Sequence, residues 1–217
     1  MNLWTESRAF LGPFRSQYFT TGSVLPSSRA LGRALTRYIR RSRPPRRILE
    51  VGPGTGAVTR VLVDCLRPGD RLDIVEINQA FVEVVERRFA EEPAFRKARD
   101  LCRVFHRPLQ EMPGQAEYDF MVSGLPLNNF PLALVEDIFA SYERLLKPGG
   151  VLSYFEYAGI RDLKRKFVGP EERQRLTDLD RFLKARIRSS QVAEDLVLCN
   201  IPPAVARHLE LAGRRPT

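Results

Sequence analysis

At 217 residues, 43% hydrophobic and 28% charged, the chain has the make-up of one soluble globular domain with a full core. Its apolar runs fall short of the roughly 20 residues a membrane span needs, and no apolar signal core follows the first residues. The net charge of +9 is unevenly placed: residues 1–47 hold ten arginines against one acid, Glu6, the remainder balances, and residues 161–188 hold ten Lys/Arg against five Asp/Glu. Basic segments on a neutral body predict docking on something anionic, either nucleic acid or a lipid headgroup plane. Cys65, Cys102 and Cys199 are far apart and form no CxxC, and there are only two histidines, so neither a disulfide framework nor a metal site is expected. A reducing cytoplasm is the compartment that fits such cysteine usage.

The first predicted element is a helix over residues 28–41. Leu31, Leu35, Tyr38 and Ile39 face one way, Arg29, Arg33, Arg37 and Arg40 another, and Ser27 or Ser28 is available as N-cap. Pro44 and Pro45 end it and lead into a short apolar strand, 47–51. A glycine-rich loop follows, then a helix over 57–66 stopped by Pro68-Gly69. A strand at 71–76 and a helix at 79–91 come next. Strands are expected near 101–105 and at 118–122, then a helix over 131–146 ending at Lys147-Pro148-Gly149-Gly150, and a strand at 151–157. Beyond it lie the basic stretch 161–188 and strands from about 193 to the end. Strands alternating with helices imply βαβ units and a mostly parallel sheet. The chain divides into a basic amphipathic arm or lid, 1–47, and a sheet domain, 48–217.

The loop carries the clearest chemical signal. Ile48-Leu49-Glu50-Val51 runs into Gly52-Pro53-Gly54-Thr55-Gly56, where glycines let the backbone turn sharply and approach a ligand without Cβ interference. Glu76 stands 20 residues beyond Gly56 at the end of the next strand, a place suited to a carboxylate that accepts ribose hydroxyls. The third glycine falls one residue earlier than in GxGxxG dinucleotide loops, and no P-loop lysine is present.

These residues resemble the cofactor motifs of class I S-adenosylmethionine-dependent methyltransferases, and Leu145 to Gly150 resembles the turn before their fifth strand. Three further stretches narrow the resemblance: Thr21 to Ser28, Ser123-Gly124-Leu125-Pro126-Leu127, and Asn200-Ile201-Pro202-Pro203-Ala204. Together they are similar to the bacterial phospholipid and ornithine-lipid N-methyltransferases, over nearly the whole chain. The resemblance implies a Rossmann-like α/β fold, with a mostly parallel seven-stranded sheet, helices on both faces and an N-terminal helical arm. It implies S-adenosylmethionine as methyl donor, S-adenosylhomocysteine as product, and successive methylation of a membrane aminolipid's primary amine. It places the cofactor on Gln17, Glu50, Gly52, Gly54, Gly56, Glu76, Ile77, Pro108, Leu109 and Ser123, and the acceptor amine at Tyr18, Gly124 and Leu125. Where such enzymes carry an acid for adenine after strand three, this chain has His106-Arg107-Pro108-Leu109, which leaves backbone groups or Gln110 for that role.

The chemistry asks for a neutral amine aligned with an activated methyl group, so positioning and desolvation contribute most. Backbone carbonyls near Gly124 and Leu125 are the expected acceptors of the amine's N–H groups. Tyr18, Phe19, Tyr154 and Tyr157 are candidate faces for methylated ammonium. Apolar and aromatic residues from Leu3 to Phe19, interleaved with Arg8 and Arg15, suit a segment in a membrane interface; a lid over the cofactor is the other reading. The expected partners are an aminolipid, with ornithine lipid favoured over phosphatidylethanolamine, and an anionic membrane surface met through 1–47 and 161–188. The expected state is a monomer at the inner face of the cytoplasmic membrane. The rival resemblance is to RNA adenine N6-dimethyltransferases, which share the glycine loop; Ser123 and Leu127 depart from their Asn-Leu-Pro-Tyr turn. A binding module on a degenerate methyltransferase fold is the non-enzymatic alternative.

Overall fold

The computed structural model describes residues 28–159, 165 and 167–211. Seven strands form one sheet: β1 (Arg47–Val51), β2 (Arg71–Glu76), β3 (Cys102–His106), β4 (Tyr118–Ser123), β5 (Leu146–Tyr157), β6 (Gln191–Val197) and β7 (Ala204–Glu210). Their order is β3-β2-β1-β4-β5-β7-β6; β7 runs antiparallel to both β5 and β6, and every other pairing is parallel. The C-terminal ends of β1, β2, β4 and β5 therefore share one edge. The β6–β7 hairpin turns at that same edge, because Val197 and Tyr157 both stand opposite Ala204.

The helices are α1 (Arg29–Leu35), α2 (Arg37–Arg41), α3 (Ala57–Cys65), α4 (Gln79–Glu91), α5 (Pro93–Ala98), α6 (Leu132–Leu145) and α7 (Pro170–Ser190). Strand alternation sends side chains to opposite faces, and each face has its own core. Ile48, Leu72, Ile74 and Val122 pack under α1 to α5 with Leu31, Leu35, Leu62 and Phe89. Leu49, Val75, Met121 and Leu152 pack under α6 and α7 with Phe139, Tyr142, Leu179 and Leu183. The structure thus has the expected Rossmann-like architecture, with helices on both faces and a helical N-terminal arm whose described part is built into the core.

Two local expectations need correction, and a stretch to which the sequence assigned no element is helical. The helix expected over 28–41 is two helices broken at Thr36. Its hydroxyl donates back to the Gly32 carbonyl at 2.9 Å, while its backbone leaves the helical range at φ −94, ψ 9. Strand five begins at Leu146, not Val151, because Leu146 already pairs with Tyr118 before a register shift at the Pro-Gly-Gly turn. The basic stretch contains a helix of 21 residues, α7, whose apolar stripe of Leu176, Leu179 and Leu183 is sparse within a charged sequence.

Buried polar contacts fasten the arm. Arg46, 2% exposed, pairs with the fully buried Asp70, and its guanidinium also donates to the Ile39 and Cys65 carbonyls. Burial pushes the Asp70 carboxyl up, but Arg46 and two backbone N–H groups hold it below its ordinary value. Ser153 Oγ lies 2.8 Å from His208 Nδ1, His208 Nε2 lies 3.2 Å from Asp195, and Arg37 pairs with Asp195 at 2.9 Å. Serine, histidine and aspartate here link β5, β7, β6 and α2; His208 is fully buried, beyond the reach of a substrate.

Candidate active site

The edge where β1, β2 and β4 end gathers most of the expected residues. Gly52, Gly54 and Gly56 adopt φ of +67°, +55° and +81°, so the loop's path requires residues that tolerate the left-handed region. A Cβ at Gly52 would stand 2.7 Å from Leu125 Cδ2, whereas one at Gly54 would meet nothing within 4 Å. The middle of the loop is therefore an open cradle. Arg88 of α4 donates to the Thr55 carbonyl at 2.8 Å, pairs with Glu92 at 2.6 Å and lies over the Phe95 ring at 4.5 Å. No local motif marks Arg88 as a loop support, since it comes from the last turn of another helix.

Glu76 is 7% exposed and is held by three backbone donors. Its Oε1 accepts from Ile77 (2.8 Å) and Asn78 (2.9 Å), and its Oε2 accepts from Gly54 (3.3 Å). Burial outweighs these donors and raises its carboxyl above the ordinary value. Ile77 also accepts His106 Nε2 at 3.1 Å, and Arg107 N–H donates to the Glu76 carbonyl. Asn78, which sequence reasoning passed over, caps α4 by accepting from Ala80. Pro108 and Leu109 follow β3 into a short 3₁₀ turn, where Leu109 is buried in the core that contains Val51 and Val75. Gln110 offers its carbonyl to Arg144 at 3.2 Å.

Glu50 is 1% exposed, and neither carboxylate oxygen has a hydrogen-bond partner among the described residues. Burial pushes its carboxyl up to about 8; neighbouring Thr59 opposes the shift and the Glu76 charge reinforces it. A buried acid with no hydrogen-bond partner among the described residues, beside an open glycine cradle, fits a ligand that brings positive charge. Glu76, with lone pairs beyond its three backbone donors, fits one that brings hydroxyls. S-adenosylmethionine has both, and the residues present suit it.

At the end of β4, Gly124 N–H donates to the Val51 carbonyl at 2.8 Å, and a Cβ on Gly124 would lie 2.5 Å from the Gly52 carbonyl oxygen. The β4 turn and the glycine loop touch backbone to backbone, which only glycine permits. Ser123 is fully buried; its hydroxyl accepts from Tyr142 at 2.7 Å and from the Leu125 N–H at 3.3 Å. Of the two carbonyls expected to take the amine, that of Leu125 already accepts from Leu127 at 2.9 Å. Tyr154 is 1% exposed and packs edge-on to Phe139, so it is core rather than an ammonium face. Tyr157 is half-buried against Phe155. Gln17, Tyr18 and Phe19 lie outside the described residues.

Residues 48–150 match the methyltransferase domain family. The chain is 33% identical to the ornithine lipid N-methyltransferase of Singulisphaera acidiphila over 144 residues, 66% of this chain and 74% of that protein. A ribosomal RNA small subunit methyltransferase A from Pseudomonas syringae pv. syringae is 42% identical over 55 residues, which are 25% of this chain and 19% of that one. Among solved structures, the glycopeptide N-methyltransferase MtfA complexed with sinefungin superposes with a TM-score of 0.61 at 16% identity, over 84% of this chain and 87% of that one, a likeness of fold. The chain belongs to the class I S-adenosylmethionine-dependent methyltransferases, in the family that includes that ornithine lipid N-methyltransferase.

Proposed function

We propose that this methyltransferase methylates the primary amine of a membrane aminolipid, with ornithine lipid as the favoured acceptor and successive methylation of the same nitrogen. The observation that carries the reading is the similarity to the Singulisphaera enzyme, which spans three quarters of that protein. The similarity to the ribosomal RNA enzyme covers only a quarter of this chain. The bound cofactor supplies a methyl group activated on a sulfonium centre. The chain's own residues bind and orient: the loop and Glu76 hold the donor, and the Gly124 carbonyl takes an amine N–H and aims the lone pair. Leu125, packed on Gly52, walls the turn against water. Ser123 and Tyr142 lock the turn from beneath, and the proton released on methylation passes to water.

Docking on an anionic bilayer through 1–47 and 161–188 belongs to the same proposal, with the enzyme at the inner face of the cytoplasmic membrane and acting as a monomer. Not every cation in those segments is available for it. Arg37, Arg46 and Arg47 pair with Asp195, Asp70 and Glu117, and in α7 Arg175, Arg181, Lys184 and Arg186 pair with nearby acids. Arg29, Arg33, Arg40, Arg41, Arg173 and Arg188 remain exposed for headgroups. Incubation with labelled cofactor and separate vesicles of ornithine lipid or phosphatidylethanolamine, or with RNA, tests the reading. Label in an aminolipid is expected; label in RNA alone contradicts it.

A further inference from the structure

Five large hydrophobic side chains stand exposed among the described residues, and three of them cluster in sequence at one hairpin: Leu196 (61%), Leu198 (71%) and Ile201 (70%). A fourth, Phe167 (80%), precedes α7, whose first turns reach the loop after β4 when Arg175 donates to the Asn128 carbonyl at 3.1 Å. The β6–β7 turn and the loop after β4 both sit at the edge of the sheet that carries the glycine loop. The apolar tip therefore shares an end of the sheet with the cofactor site, with β4 and β5 between β1 and β7.

The tip is held in shape. Asn200, 4% exposed between the outward Leu198 and Ile201, donates through Nδ2 to the Pro202 carbonyl at 2.8 Å and accepts the Ser28 N–H at 3.1 Å; Ala158 N–H donates to the Pro203 carbonyl at 2.8 Å. A hairpin fixed from within that still turns three branched aliphatic side chains to solvent is an expected feature of an interaction surface. Exposed Arg29 follows Ser28 directly and so sets a cation beside the tip, which complements an anionic headgroup layer.

We infer that the β6–β7 hairpin tip, with Leu198 and Ile201 foremost and Phe167 in support, inserts into the interfacial layer of an anionic bilayer and presents the cofactor edge to its lipid substrate. This rests on the aminolipid reading. An amine tethered to the bilayer reaches the Gly124 turn only if this edge of the sheet faces the membrane. The apolar tip adds to the basic segments, which lend it Phe167 and Arg29: cations draw the enzyme to the plane, and the tip sets its depth and orientation.

The test uses the full chain and vesicles containing phosphatidylglycerol. Leu198→Glu with Ile201→Glu is expected to weaken co-sedimentation by about tenfold or more. Val192→Glu, at an exposed site on the opposite end of β6, should leave it unchanged. A polarity-sensitive fluorophore on the exposed native Cys199 should shift to the blue on vesicle binding; this readout needs no substitution at the tip. Undiminished vesicle binding by the double variant, or a label that stays in water in the bound state, overturns the inference, as does a change in oligomeric state alone. Transfer to a short-chain, dispersed ornithine lipid separates the two claims. The double variant should keep it. If neither protein methylates any aminolipid while binding still depends on the tip, the function reading fails and the docking surface stands.

Discussion

Glu50 and Glu76 are both buried acids at strand ends, yet their surroundings divide their roles. Glu76 has three backbone donors and is shaped to accept more; Glu50 has none among the described residues. With the Glu50 carboxyl raised from 4.5 to about 8, the folded chain keeps a proton between those values that the unfolded chain has lost. Stability of the ligand-free protein should therefore fall as pH rises across that window, by on the order of 5 kcal/mol at full extent. Glu50→Gln, the isostere of the protonated acid, should flatten the slope in denaturant titrations; equal slopes in both proteins would remove Glu50 from this account. A cationic ligand lowers the same carboxyl, so cofactor binding near neutral pH should release protons, seen as a buffer-dependent heat in calorimetry. Glu76→Ala should weaken cofactor binding by about tenfold or more, about 1.4 kcal/mol; an unaltered titration excludes it from the site. Ser123 was legible as a site position, but its buried hydroxyl faces Tyr142, a partner 19 residues away that sequence spacing does not reveal.

At the level of elements, two contacts decide whether the site exists. The β4 turn meets the glycine loop at Gly124, where an added Cβ would press on the Gly52 carbonyl. Gly124→Ala should keep the far-ultraviolet circular dichroism of the fold and reduce cofactor affinity by about tenfold, an overpacking cost of roughly 1–3 kcal/mol; wild-type affinity would contradict the close approach. The Arg46–Asp70 pair bolts α2 and the loop before β2 to the start of β1. Asp70→Ala leaves the guanidinium buried and unpaired and should cost about 3–5 kcal/mol in denaturant unfolding. β1, β2 and α4 were legible because apolar periodicity and caps agree there, and they begin and end where the sequence places them. α7 was not, because three buried leucines among ten basic and five acidic residues in 161–188 give a weak period, and tertiary packing on α6 supplies the rest. The break at Thr36 depends on a hydroxyl choosing a carbonyl one turn back, which a hydrophobic pattern does not record.

For the whole molecule, the strand order places cofactor loop, β4 turn and apolar hairpin on one edge, with exposed arginines on α1, α2 and α7. The donor side of the site was legible from the loop and Glu76, since a cofactor imposes its own spacing on the chain. The acceptor side was less so, because a lipid headgroup is recognised by surfaces assembled from distant segments: Asn200 meets Ser28 across 172 residues. Deletion of residues 1–20 should abolish co-sedimentation with anionic vesicles, the outcome expected if the apolar and aromatic residues from Leu3 to Phe19 lie in the membrane interface; unchanged co-sedimentation refutes that role. The central claim, an aminolipid amine as acceptor, is tested most directly by following labelled methyl from S-adenosylmethionine into ornithine-lipid vesicles, phosphatidylethanolamine vesicles and RNA in parallel. Label in ornithine lipid, carried through more than one methylation, is the predicted result, and label in RNA with none in either lipid would contradict it.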